Sequence, residues 1–229
     1  MALEAKNLYF KYPKGKKAVL SDFSASFLPG ELAALTGANG CGKTTLTKIL
    51  LGILQPQQGL VLLDGRNIAE LTLAEVGRSV GYVMQNPAQQ LFCTSVEKEM
   101  DYGLLNLGLS EEEREKRINY YLEYFQLSRH RKSFPFHLSL GEQQRLLLAA
   151  VLAMKPRYLI LDEPTAYLDV YRRRLLGEHL QKIRTELVCG IIVVSHDRDF
   201  VGEYCQREVV MPGAGMVENH VDSPQRRAL

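Results

Sequence analysis

Apolar and polar residues alternate from Leu3 to Tyr12, and the alternation resumes from Ala18 to Phe27 after a turn at Pro13 to Gly15. A period of two marks a strand with one buried face, so these runs predict antiparallel strands ending at Pro29-Gly30. A short apolar run, Leu32 to Thr36, then enters a glycine-rich turn. From about Lys43 the spacing becomes helical, with Leu46, Ile49, Leu50 and Ile53 on one face. Further strands are expected at Leu60 to Leu63 and Val80 to Met84.

From about Ser95 to Met154 the pattern is mainly helical. Ser110 and Glu113 have capping-box spacing at the start of a helix whose apolar stripe is Ile118, Tyr121, Leu122 and Phe125. The helix after Gly141 is apolar almost all round between Leu146 and Met154, which predicts burial. Strands return at Tyr158 to Leu161 and Val188 to Val194, separated by a helix that turns Leu175, Leu176, His179, Leu180 and Ile183 inward. Short strands are expected near Glu208 to Val210 and Met216 to Val217. Strand-helix alternation implies an α/β core with a parallel sheet, preceded by an antiparallel β subdomain and interrupted by a helical insertion. The expected division is a core of about 1–86 and 155–221, a helical subdomain of about 87–154, and a polar tail at 222–229.

Composition fits a folded domain: 229 residues, 46% hydrophobic and 24% charged. With 28 Lys+Arg against 26 Asp+Glu the net charge is +2, too small to expect nucleic acid as a partner. The four cysteines, Cys41, Cys93, Cys189 and Cys205, have no metal-ligand spacing, and the N-terminus has no pattern of a cleavable signal, so reduced thiols in the cytosol are expected. The longest uncharged apolar run, Leu146 to Met154, is far short of the roughly 20 residues that span a bilayer. Membrane contact, if any, is expected through partners.

Gly37-Ala38-Asn39-Gly40-Cys41-Gly42-Lys43-Thr44 satisfies the phosphate-loop pattern G-x-x-x-x-G-K-[ST], placed between an expected strand and an expected helix. Glycines let backbone N–H groups converge on phosphate, and the helix N-terminus adds positive potential. Lys43 would reach the β- and γ-phosphates, and the Thr44 hydroxyl would ligate Mg. Cys41, inside this electropositive loop, reads either as a reactive thiol that a bulky maleimide labels and Mg-ATP protects, or as a residue that merely fills a small-residue slot.

Two further strand ends carry chemistry. Tyr158 to Leu161 runs into Asp162-Glu163, where Asp162 would hold Mg through water and Glu163 would polarise the attacking water as general base. Ile191 to Ser195 delivers His196 to the same edge of an α/β sheet, within reach of the γ-phosphate. His130, His137, His179 and His220 read as structural.

Leu138-Ser139-Leu140-Gly141-Glu142-Gln143-Gln144-Arg145 resembles the signature motif of ABC ATPases. The resemblance extends over nearly the whole chain. It places Tyr12 as the aromatic that stacks on adenine, Gln85 as the Q-loop glutamine beside Mg and the attacking water, and Ala166-Tyr167-Leu168-Asp169 as the D-loop. It implies that ATP lies on Tyr12, the loop from Gly37 to Thr44, and Thr45. Ser139, Gly141, Glu142 and Asp169 would contribute to the ATP of a second ATPase subunit, identical or not, in a head-to-tail dimer. Leu140 stands where the family usually has glycine, and Glu142 where glutamine is common.

A narrower resemblance begins at Gln85-Asn86-Pro87-Ala88-Gln89-Gln90-Leu91-Phe92 and continues through Ser95-Val96-Glu97, Tyr102-Gly103 and Asn106-Leu107-Gly108-Leu109. This looks like the ATPases of energy-coupling-factor (ECF) transporters, which drive uptake of vitamins and transition-metal ions. It implies a peripheral protein on the cytoplasmic face, docked on a transmembrane coupling subunit through about Asn86 to Phe92, with Leu91 and Phe92 exposed. The competing readings are the ATPase of another ABC importer or exporter, a soluble ABC ATPase, and a P-loop kinase. The sequence lacks the long heptad insertion, tandem ATPase domain or basic tract of the soluble class.

Overall fold

The computed structural model describes residues 1–166 and 168–212; the expected strand at Met216-Val217 and the tail at 222–229 lie outside them. The strands are β1 (Leu3–Phe10), β2 (Leu20–Phe27), β3 (Leu32–Thr36), β4 (Gln58–Leu63), β5 (Arg66–Asn67), β6 (Val80–Val83), β7 (Tyr158–Asp162), β8 (Gly190–Val194) and β9 (Arg207–Val210). The helices are α1 (Lys43–Leu50), α2 (Leu73–Ser79), α3 (Val96–Asn106), α4 (Glu111–Tyr124), α5 (Leu140–Ala153), α6 (Val170–Glu186) and α7 (Arg198–Tyr204).

An antiparallel sheet of order β2-β1-β4-β5 packs beside a parallel sheet of order β6-β7-β8-β3-β9. In β1 the register shifts between Ala5 and Leu8, around Asn7 with φ 49°. That irregularity changes the phase of the alternation, so Leu3 and Ala5 before it and Leu8 and Phe10 after it are all buried. The parallel strands are covered on both faces, which is why all five residues of β8 are buried. Leu159, Leu161, Ile191 and Val193 pack with α3, α4, α5 and α6. Ile160, Ile192 and Val194 face the other way, onto α1 and the antiparallel sheet.

Strand register aligns the functional ends. Leu35 of β3 and Asp162 of β7 both pair with Val194 at the end of β8. The loop after β3, the acids after β7 and His196 after β8 therefore emerge along one edge, as open α/β sheets place their ligand sites.

Several elements differ from expectation. Ile53 lies past the end of α1 and is 56% exposed, because α1 stops at Leu50 and the chain leaves the helical path at Gly52 (φ 71°). Val188 adopts φ 50° and is exposed, so β8 begins at Gly190. Ser110 caps α4 through the N–H of Glu113, but the Glu113 carboxylate accepts from Arg117 Nε (2.7 Å) instead of closing the box. Leu175 and His179 are only half-buried. Three elements lie outside the expected set: β5, α7, which Asp197 caps through the N–H of Phe200, and α2, opened by a complete Thr72/Glu75 capping box. Among the described residues no helix is long and apolar enough to cross a membrane.

Candidate nucleotide-binding site

The loop from Gly37 to Gly42 owes its shape to backbone conformations that side chains resist. Gly37, Gly40 and Gly42 have φ of 144°, 78° and 108°. A Cβ on Gly37 would lie 2.8 Å from Cys41 Sγ and 2.9 Å from the Met211 carbonyl oxygen, and one on Gly42 would lie 2.6 Å from Val19 Cγ1. The loop is thus wedged between β2's leading turn and the end of β9, leaving Ala38, Asn39 and Gly40 exposed. Cys41 turns the other way and is only 2% exposed, packed into the core beneath Gly37. Of the two readings of Cys41, burial favours the residue that fills space under the loop.

Lys43, the first residue of α1, is buried and donates from Nζ to the carbonyls of Gly37 (2.9 Å) and Ala38 (3.2 Å). Its ammonium therefore spans the loop it is meant to serve. Thr44 is exposed beside it, whereas Thr45 is buried with Oγ1 3.2 Å from the Tyr12 hydroxyl. Tyr12 is fixed on its other side by an edge-on contact with Phe10 at 4.9 Å between centroids. These two contacts tether the Tyr12 ring to the first turn of α1.

Asp162 ends β7 partly buried, and its Oδ2 accepts from the Tyr82 hydroxyl at 3.0 Å. Burial raises the Asp162 carboxyl above its ordinary range, opposed by the Tyr82 hydrogen bond and the Lys43 charge. Burial likewise pushes the Tyr82 phenol up, so it stays a donor. An exposed hydroxyl at Thr44 and a carboxylate at Asp162 within the field of Lys43 are hard oxygen donors, the type Mg takes alongside phosphate oxygens.

Glu163 occupies the left-handed region (φ 46°), held there by its N–H donating to the Val194 carbonyl at 2.8 Å. That turn brings its carboxylate to His196, with Oε1 3.4 Å from Nε2 and Oε2 3.4 Å from the backbone nitrogen. The strain is local and falls on a predicted catalytic residue. The expected base and the expected γ-phosphate contact are therefore neighbours.

Beyond β6, Gln85 is exposed at the start of a compact loop. Gln90 pins that loop by accepting from Met84 N (2.9 Å) and donating to the Tyr82 carbonyl (2.8 Å), and Glu99 accepts from Phe92 N and Cys93 N. Leu91, expected to be exposed, is 4% exposed and belongs to the core, because the short turn at Pro87–Gln89 rolls it inward. Phe92 is 61% exposed and meets exposed Tyr102 edge-on at 4.8 Å.

Ser139 caps α5. Its hydroxyl donates to Glu142 Oε2 (2.8 Å), its N–H donates to the same oxygen (3.0 Å), and Oγ accepts from Glu142 N (3.4 Å). Arg129 Nη2 and His130 Nε2 lie 3.3 and 3.1 Å from Glu142 Oε1. The Ser139 hydroxyl and N–H, with help from Arg129 and His130, hold the Glu142 carboxyl down at about 2. Gly141 carries no Cβ where one would lie 3.4 Å from Arg172 Nη1, and Leu140 is 51% exposed. Asp169 caps α6 by accepting from Arg172 N at 2.8 Å.

The structure also links these parts through residues that pattern reading does not select. Gln144 of α5 donates to the Pro164 carbonyl beside Glu163. Arg173 donates to the Leu168 carbonyl (3.0 Å) and pairs with Asp197 (3.2 Å), the neighbour of His196. Tyr82 belongs with them. Its signal is a polar-tipped aromatic on β6, next to the strand that ends in Asp162.

A phosphate-type loop between β3 and α1, two acids at the end of β7 and a histidine at the end of β8 define a P-loop nucleotide hydrolase. Residues 20–166 match the ABC transporter family. The chain is 44% identical over 209 residues to an ABC transporter ATP-binding protein of Pyrococcus horikoshii, covering 91% of this chain and 79% of that one. It superposes on cbiO1 from Clostridium perfringens, part of the ABC transporter complex cbiONQ, with a TM-score of 0.84 and 34% identity over 91% of this chain and 84% of that one. A second solved ATP binding subunit of an ABC transporter gives 0.81 and 29%, covering 92% and 86%. The chain belongs to the ABC transporter ATP-binding family, and it is an ABC transporter ATPase.

Proposed function

We propose that this chain hydrolyses Mg-ATP to power an ECF-type importer of a vitamin or a transition-metal ion. ATP sits with adenine on Tyr12 and phosphates on residues 37–45. Lys43 moves from the Gly37 and Ala38 carbonyls onto the β- and γ-phosphates. Mg would be held by Thr44 and by Asp162 through water, with Gln85 alongside. When bound, Mg neutralises phosphate charge; Glu163 orients and deprotonates the attacking water, and His196 steadies both Glu163 and the γ-phosphate. The division into a core of 1–86 and 155–221 and a helical subdomain of 87–154 lets the signature face a partner's ATP. Ser139, Gly141, Glu142 and Asp169 would then complete the site of a second ATPase subunit, identical or different.

The observation that carries the hydrolytic part is the Glu163–His196 pair, held by a strained turn at the edge shared with the phosphate loop. Support for the ECF subclass is the likeness to cbiO1 together with the residues from Gln85 to Leu109. Exposed Phe92 and Tyr102 on the Q-loop side supply an aromatic patch for a transmembrane coupling subunit at the cytoplasmic face of the membrane. The test is co-expression with a membrane coupling protein and a small substrate-binding membrane protein, followed by ATP-dependent uptake into proteoliposomes. Uptake of a vitamin or metal ion that requires this chain supports the reading. Assembly with a different class of transmembrane subunit refutes it.

A further inference from the structure

The signature serine already has an anionic partner inside its own subunit. A serine hydroxyl carries one proton, and that of Ser139 is directed at Glu142 Oε2 at 2.8 Å, the oxygen that also receives the Ser139 N–H at 3.0 Å. An incoming γ-phosphate needs the same proton. The two anions cannot share it, and bringing them together sets like charges side by side.

We propose that Glu142 is an internal competitor of the γ-phosphate: its carboxylate holds the Ser139 hydroxyl in the free subunit and must yield it when a partner's ATP arrives. This rests on the sandwich arrangement proposed above. The surroundings suit an exchange. The other carboxylate oxygen, Oε1, faces Arg129 Nη2 at 3.3 Å and His130 Nε2 at 3.1 Å. Glu142 therefore keeps a cationic neighbour after the serine turns away. The carboxylate stays ionised at any physiological pH, so protonation does not release the serine. Release has to come from competition by phosphate.

A capping box also stabilises the start of a helix, and a purely structural role has to be distinguished from competition. Sign distinguishes them. Glu142→Gln keeps an acceptor oxygen for Ser139 and removes the competing charge. Arg129→Ala, at a mostly exposed side chain, removes the cation that screens Glu142 from phosphate. Competition predicts opposite effects on ATP use, whereas a structural role predicts loss from both or from neither.

The experiment is steady-state ATP hydrolysis by the assembled transporter, with each substitution in this chain and half-saturating ATP as the readout. Glu142→Gln is expected to lower half-saturating ATP at least threefold, and Arg129→Ala to raise it at least threefold. An unmoved value for Glu142→Gln, or shifts of the same sign in both, overturns the proposal. Ser139→Ala separates it from the reading beneath it. If Ser139→Ala leaves hydrolysis at the parent level, the sandwich reading falls and the competition with it. If Ser139→Ala abolishes hydrolysis while Glu142→Gln has no effect, only the competition falls.

Discussion

Gly42→Ala and Gly40→Ala, two substitutions in one loop, are predicted to differ because only one of the two positions is crowded. Gly40 has φ 78° and nothing within 4 Å of where an alanine methyl would sit, whereas Gly42 has φ 108° with Val19 Cγ1 at 2.6 Å and the Val19 carbonyl oxygen at 3.3 Å. At Gly40 the cost is the left-handed backbone alone, about 1–2 kcal/mol. At Gly42 forced displacement of Val19 adds about 1–3 kcal/mol, giving a total of about 2–5 kcal/mol. For a domain of this size about 1 kcal/mol lowers the thermal midpoint by about 2–4 °C. Nucleotide-free protein should therefore melt about 2–8 °C lower with Gly40→Ala and about 4–20 °C lower with Gly42→Ala. The assay is thermal unfolding by circular dichroism without ATP, so that lost phosphate contacts do not enter. A loss from Gly40→Ala equal to or greater than that from Gly42→Ala would refute the reasoning.

Lys43→Ala is expected to weaken ATP binding at least tenfold, measured by calorimetry, since it removes the only ammonium placed at the loop carbonyls among the described residues. Phe92→Glu should abolish co-purification with the coupling subunit without changing the melting curve, whereas Leu91→Glu should unfold the protein locally because Leu91 is core. Native protein should react slowly with a bulky maleimide at Cys41 whether or not ATP is present, read by mass spectrometry of labelled peptides. Because the Glu142 carboxyl is depressed in the folded state to about 2, its stabilisation is complete above the unfolded carboxyl range and is lost as pH falls toward 2. Glu142→Gln should flatten that acid limb in a pH series of urea unfolding curves, and an unchanged limb would contradict the assignment.

The phosphate loop, the acids, His196 and the signature are legible in sequence because each needs particular residue types at short fixed spacing. β1 and β2 are legible from alternating apolar positions that bury one face, and β3 from a short apolar run buried on both faces. What local pattern does not reveal depends on distant partners. The Tyr82–Asp162 bond joins residues 80 apart in sequence, and the Arg173–Asp197 pair exists only because α6 and α7 pack together. Leu91 reads as a loop tip, yet tertiary burial between α3 and the sheet turns it inward. Thr72 and Glu75 do carry the spacing of a capping box, so α2 had a local signal that the hydrophobic pattern alone passes over.

ATP turnover by the Glu163→Gln transporter tests the central claim most directly, because Glu163 is the one carboxylate that a strained turn holds against His196 among the described residues. The account predicts that the variant still binds ATP with parent affinity while hydrolysis falls by about 10²–10⁴, the usual worth of a general base. Hydrolysis at the parent rate, with ATP bound as before, would contradict it.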